Sequence, residues 1–183
     1  MRRFGQLNRQ KTKDRYAQRL IRSVLCTLYS VLLISLVSCE GTTFRSSVPR
    51  YPVRMTIDTD RAEFATFKYP SAMEYITLNR EGYFLNGKFL RKPDVTDAWG
   101  YGGVVVFVNM SGGLDAYDLA CPNCAKRGTC SPCEIDGMFA RCPLCDEEYD
   151  LASGTAVPQH AIADEFLLRL NLIRSGNKIT VTQ

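Results

Sequence analysis

Downstream of Tyr51 the apolar positions recur with a short period, and β-branched and aromatic residues gather in short runs bounded by Gly, Pro, Asn and Asp. Val53-Arg54-Met55-Thr56-Ile57 alternates apolar and polar residues, as a strand with one buried face does. Residues 72–78 form a second candidate strand, and residues 83–90 (YFLNGKFL) carry Asn86-Gly87 between apolar pairs, a turn signal that requires positive φ. Residues 103–109 (GVVVFVN) are apolar at consecutive positions, the pattern of a strand buried on both faces. Ser111-Gly112-Gly113 then turns the chain into 114–119, and residues 166–173 and 179–182 flank Ser175-Gly176-Asn177 as a closing hairpin. The pattern predicts an all-β domain with antiparallel sheets. No internal repeat is present, and the only helical signal is a short turn near 161–165. Residues 91–102 and 121–145 carry little strand signal, and in the first of these Trp99 reads as a packed anchor for a loop.

The first forty residues follow a different pattern. A basic stretch ends at Arg22, and residues 24–37 (VLCTLYSVLLISLV) hold no charge before Ser38-Cys39. This run is short for a bilayer span and has the basic, apolar, then small-residue order of a secretory signal. Leu36-Val37-Ser38-Cys39 resembles the lipobox of bacterial lipoproteins. That resemblance implies a signal peptide over 1–38, cleavage before Cys39, lipidation of Cys39, and attachment to the membrane of a bacterial cell envelope on its extracytoplasmic side. The alternative is an uncleaved N-terminal anchor. Residues 39–50 are small and polar, as a flexible tether is, which leaves 51–183 as one domain of ordinary size.

Charge separates along the same boundary. The chain has 183 residues and a formal charge of +4, but eight of its 23 Lys and Arg lie in residues 1–38 against one acid, Asp14. From residue 39 onward acids outnumber bases by three, so a nucleic-acid role loses its electrostatic footprint. With one histidine, His160, no site needing two imidazoles can form within a subunit.

Six of the eight cysteines fall within 25 residues: Cys121-Pro-Asn-Cys124, Cys130-Ser-Pro-Cys133 and Cys142-Pro-Leu-Cys145. The outer pairs have the spacing of two thiolate knuckles closing on one tetrahedral ion. Two residues between cysteines let one tight turn present both sulfurs and direct backbone N–H groups at them. Cys121, Cys124, Cys142 and Cys145 are therefore the candidate ligands. Cys130 and Cys133 are open to three roles: a disulfide with each other, pairing with an outer cysteine, or displacing Cys121 and Cys124 as the first knuckle. Disulfides throughout are the competing arrangement in an oxidising compartment.

The surroundings extend the pattern. The order of 104–109, 113–118, Leu119-Ala120-Cys121-Pro122, Arg141-Cys142-Pro143-Leu144-Cys145, Tyr149-Asp150-Leu151, Ser153-Gly154 and the final hairpin resembles the Rieske iron–sulfur domain over residues 103–183. The lipoprotein setting resembles Rieske-like lipoproteins of Bacteroides-type bacteria. The family's fold implies three stacked antiparallel sheets with a small cluster-binding subdomain inserted as two rubredoxin-like loops within 121–145.

The ligands depart from that family. Cys121 and Cys142 match its cysteine ligands, whereas Asn123 and Cys145 stand where its histidines belong, and His160 lies outside the loops, expected on a polar surface. An all-cysteine site with Cys124 as fourth ligand suits a [2Fe-2S] cluster, a single iron, or zinc. An all-thiolate [2Fe-2S] cluster carries more negative charge than the histidine form, and its potential is expected in the ferredoxin range. Lys126, Arg127 and Arg141 either offset thiolate charge or are solvated loop charges. Asp146-Glu147-Glu148 reads as a solvated face, and Leu144, Met138 and Phe139 as an apolar tip or as core. The sequence thus predicts a non-enzymatic electron-transfer lipoprotein meeting a redox or envelope protein partner. Its rival is an envelope binding or structural module stiffened by zinc or disulfides.

Overall fold

The computed structural model describes residues 45–160 and 165–183. The expected signal peptide, Cys39 and part of the turn near 161–165 lie outside these residues. Among the described residues no helix is long and apolar enough to cross a membrane.

Alternation sets the first strand. β1 (Val53–Asp58) buries Val53, Met55 and Ile57 and exposes Arg54 and Thr56. A 3-10 helix (Ala62–Lys68) follows, then β2 (Tyr75–Leu78), β3 (Tyr83–Leu85), β4 (Lys88–Arg91) and the two-residue β5 (Ala98–Trp99). β6 (Val104–Val108) and β7 (Leu114–Asp118) lead into α1 (Pro122–Lys126). β8 (Glu134–Asp136), β9 (Phe139–Arg141), β10 (Glu148–Asp150) and β11 (Val157–Pro158) come next, and β12 (Asn171–Ser175) with β13 (Lys178–Thr182) closes the chain. The strands form three antiparallel sheets, in the orders β12-β13-β1-β5, β4-β3-β2-β6-β7 and β11-β10-β9-β8. This is the expected all-β class, with the cysteine-bearing segment in a sheet of its own.

β6 joins the two cores. All five of its residues are buried. Val104, Val106 and Val108 face a first core with Met55, Ile57 and Val181, while Val105 and Phe107 face a second core that contains Cys121, Cys124, Cys133 and Cys142. Burial on both faces explains the unbroken apolar run in the sequence. Each such side chain contributes about 1.5–3 kcal/mol relative to an exposed one, so β6 is a rigid floor for the cysteine loops.

Asn86 and Gly87 take φ of 47° and 79°, the left-handed turn expected between β3 and β4. Trp99 packs partly buried against the first core and pairs with Val53, as an anchored loop residue would.

Four features depart from the sequence reading, the first being α1, whose five residues are too few to show a helical period. The 3-10 helix went unsignalled because seven residues with two apolar positions give little periodicity; Phe64 and Phe67, three apart, share its buried side. The segment 121–145 holds the β8–β9 hairpin, whose short strands show few apolar residues because one face meets solvent. The chain from Arg45 to Arg50, expected as part of a flexible tether, packs on the domain: Val48 is buried, and Ser47 N and Oγ donate to the Glu165 carboxylate at 2.6 and 2.8 Å.

Candidate metal centre

The first loop is positioned by a buried carboxylate. Asp118, at the end of β7, accepts the N–H groups of Tyr101 (2.7 Å), Gly102 (2.9 Å) and Ala120 (2.9 Å), tying the glycine loop before β6 to the residue preceding Cys121. Burial pushes the Asp118 carboxyl above its ordinary value, against the lowering effect of these three donors. Pro122 then opens α1 with Cys121 as its N-cap residue, which suits proline because the first helical N–H needs no partner. Cys121 O accepts from Ala125 N at 2.9 Å, and Cys124 O accepts from Thr129 N at 2.9 Å. One helical turn separates Cys121 from Cys124, so both sulfurs leave the same side.

The second loop is the connection between β9 and β10. Cys142 O accepts from Asp146 N at 3.0 Å and Cys142 N donates to Glu147 O at 2.9 Å, which folds 142–146 into a tight turn with Asp146 at φ 56°. Cys142 is buried, Cys145 is partly exposed, and Leu144 beside it is 61% exposed.

The two loops bring four sulfurs together. The Sγ atoms of Cys121, Cys124, Cys142 and Cys145 all lie within 4.8 Å of one another. Cys121 and Cys145 are 3.6 Å apart, as are Cys124 and Cys142. A tetrahedral ion with metal–sulfur bonds of about 2.3 Å requires sulfur–sulfur edges of about 3.8 Å. The donor set thus matches one four-coordinate ion in chemistry and in size. Buried donors of this kind are expelled from solvent together, and a cation is what makes four close thiolates stable.

The middle pair does not join them. None of the six loop cysteines is in a disulfide. Cys130 is exposed, its Sγ 3.5 Å from Tyr101 O. Its segment runs antiparallel to the chain before α1: Ala120 bridges Pro132, Cys121 N donates to Ser131 O at 3.0 Å, and Cys133 N donates to Leu119 O at 2.7 Å. This pairing sets Cys133 and Ser131 behind the first loop. The Cys133 thiol hydrogen-bonds to Cys121, and that bond holds the Cys121 thiol down to about 4, while it and burial push Cys133 up. Burial also raises Cys124 and Cys145, whose protons a bound ion would displace.

Further polar groups face the sulfurs. Tyr149 Oη lies 3.5 Å from Cys121 Sγ, and Ser131 Oγ lies 3.4 Å from Cys142 Sγ. The sequence gives neither Tyr149 nor Ser131 a role near sulfur. Their only local signal is adjacency to a cysteine motif, since the pairing that brings them in is long-range.

The charged neighbours divide. Arg141 is half-exposed and pairs with Asp146 and Glu148, and Lys126 is exposed with its Nζ 3.8 Å from Glu165. Arg127 Nη2 donates to Asn123 Oδ1 at 3.3 Å. His160 is half-exposed, as expected of a residue outside the site. Glu147 corrects the reading of 146–148 as a solvated face: it is fully buried, and its Oε1 accepts from His160 N at 2.8 Å. The turn at Asp146 sends residue 147 inward, where the 160 backbone supplies a donor, so adjacent acids in one run meet opposite environments. Met138 and Phe139 are partly buried, leaving Leu144 as the exposed apolar residue of the second loop.

Neither protein-family models nor curated proteins match the chain. Among solved structures it is similar to the quaternary ammonium Rieske monooxygenase CntA, at 11% identity and TM-score 0.41 over 72% of this chain and 31% of that one. It is also similar to Sphingomonas yanoikuyae B1 ferredoxin, at 15% identity and TM-score 0.33 over 47% of this chain and 83% of that one.

Proposed function

We propose that this protein is a lipid-anchored, extracytoplasmic electron-transfer module whose Rieske-like domain holds one iron ion on Cys121, Cys124, Cys142 and Cys145. The observation that carries this reading is the four-sulfur group itself, with every Sγ within 4.8 Å of the others. In a [2Fe-2S] cluster the cysteines divide between two irons, and the iron–iron separation is added to the distance between the pairs. Here every Sγ lies within 4.8 Å of each of the others, with no wider gap between one pair and the other, which favours a single shared centre.

Iron bound there would supply a one-electron couple. The protein's own residues supply the rest. The buried face of β6 and the Asp118 hydrogen bonds fix the loops, and the apolar second core keeps water from three of the four sulfurs. Partly exposed Cys145 beside exposed Leu144 leaves a short path between centre and surface, which suits exchange with a protein partner. The membrane attachment rests on the basic n-region, the uncharged run 24–37 and the Cys39 lipobox.

Metal and acid-labile sulfide per chain, with the visible spectrum of protein purified without oxygen, test the centre. One iron without sulfide and a reducible thiolate-to-iron absorption are expected. Two irons with two sulfides would replace the single ion by the [2Fe-2S] form, and colourless protein with one zinc would make the domain a structural or binding module. A Cys39→Ala variant that remains in the membrane fraction would overturn the lipid anchor.

A further inference from the structure

The five-stranded sheet turns one face toward the cysteine loops, and that face is only partly covered. Tyr75 and Thr77 of β2 stand opposite Phe107 and Val105 of β6, and Phe84 of β3 stands opposite Thr77, so these side chains share the face. Val105 and Phe107 are buried in the second core. Beyond β6 the cover lifts. Tyr75, Thr77 and Phe84 form one wall of a solvent-open cleft of about 710 Å³, and Leu119, Cys133, Ile135 and Pro143 line the other. A cleft of this size suits an organic group. Its lining holds two carboxylates, Glu81 and Glu134, and no Lys, Arg or His. Neither enters an ion pair among the described residues; Arg141, opposite Glu134 on β9, pairs with Asp146 and Glu148 instead. The aromatic wall is held in place, with Tyr75 stacked on Phe107 at 6.4 Å between ring centroids and Phe84 edge-on to Phe89 at 5.6 Å.

We propose that this cleft is the docking site for an arginine side chain of a partner polypeptide, held between the Tyr75 and Phe84 rings and the Glu81 and Glu134 carboxylates. Ring faces and carboxylates both attract a cation, and a guanidinium satisfies both at once because it is flat, stacks on aromatic rings and presents its donors as a fork. The open side of the cleft admits a side chain while the backbone that carries it stays outside. The acid excess of the chain from residue 39 onward draws a basic partner to the same surface. Cys133 and Pro143 belong to the wall, whereas Leu144 and Cys145 do not, so an occupant sits beside the cysteine loops and leaves their exposed tip open. The cleft is built from its own residues and does not depend on which ion the four sulfurs hold.

The test is photo-crosslinking of the full chain, in neutral detergent, to the blocked peptide acetyl-Gly-Arg-Gly-benzoylphenylalanine amide, with yield followed against peptide concentration and sites located by mass spectrometry. Saturable crosslinks within the cleft-lining segments 75–87 and 132–143 are expected. The same peptide with citrulline in place of arginine keeps the shape and loses the charge, and is expected to bind about tenfold more weakly, the cost of losing a charge-assisted hydrogen bond. The double variant Glu81→Gln, Glu134→Gln changes two exposed side chains and is expected to weaken the arginine peptide by about the same factor. Crosslinks scattered outside the cleft, equal binding of the citrulline peptide, or unchanged affinity in the double variant would overturn the inference. Displacement of the peptide by methylguanidinium at equal concentration would overturn the polypeptide as the source of the cation. Each of these outcomes leaves the four-sulfur centre untouched, and metal-free protein leaves the cleft untouched.

Discussion

The sulfurs of Cys121 and Cys145 stand 3.6 Å apart although 24 positions separate them in the chain. That contact brings the two loops to one candidate site, and in the proposed centre Cys145, the least buried of the four candidate ligands, is expected to be as necessary as the others. In Cys145→Ser a hydroxyl that does not ionise near neutral pH replaces a soft thiolate. Metal content per chain is expected to fall below about a tenth of wild type, consistent with a structural metal affinity that depends on all four donors. Full metal retention in that variant would show that another group completes the site.

Cys130 and Cys133 are expected to behave oppositely toward a thiol reagent. In metal-loaded protein Cys130 should label quickly because it is exposed, whereas Cys133 should stay unlabelled because it is buried against Cys121. Residue-resolved mass spectrometry reads the order. Chelation should then open Cys121, Cys124, Cys142 and Cys145 to labelling, and a Cys130–Cys133 disulfide in the native protein would contradict the assignment.

Asp118 is the hub of the first loop. Asn at this position has one acceptor oxygen for three N–H donors and places an NH2 group against one of them. Asp118→Asn is expected to destabilise the fold by about 1–3 kcal/mol, measured by urea unfolding, and to loosen metal binding as Ala120 is released. Gly102 gives an independent check. An added Cβ there would collide with the backbone of Ala120, so Gly102→Ala should show the same two effects.

Metal removal should act unevenly over the fold. The second core includes four of the cysteines, whereas the first core is built from Met55, Ile57, Val106 and Val181 among others and contains none. After chelation, amide exchange should accelerate in β8–β11 and α1 and change little in β1, β6 and β13. Acid should favour metal loss. Burial holds the Cys124 and Cys145 thiols above their ordinary value, so their protons leave on metal binding and return as the pH falls, and affinity should rise with pH. Metal titrations at pH 6 and pH 8 check the sign.

The fold and the site were legible in the sequence to different depths. Alternation in 53–57, the unbroken apolar run in 104–108 and the Asn86-Gly87 turn are local signals, because side-chain periodicity and positive φ depend on a few neighbouring residues. The two outer Cys-x-x-Cys motifs belong to the same class, since a single turn suffices to point both sulfurs one way. What the chain could not state locally was which of three knuckles would meet. Cys130-Ser-Pro-Cys133 has the same spacing as the other two, and only its antiparallel pairing with 119–121 turns Cys133 into a neighbour of the centre and leaves Cys130 in solvent. Tertiary structure likewise decided that Glu147 is buried between exposed Asp146 and partly exposed Glu148. Those outcomes follow from backbone hydrogen bonds and packing between segments far apart in the chain, and no local pattern of residues encodes them.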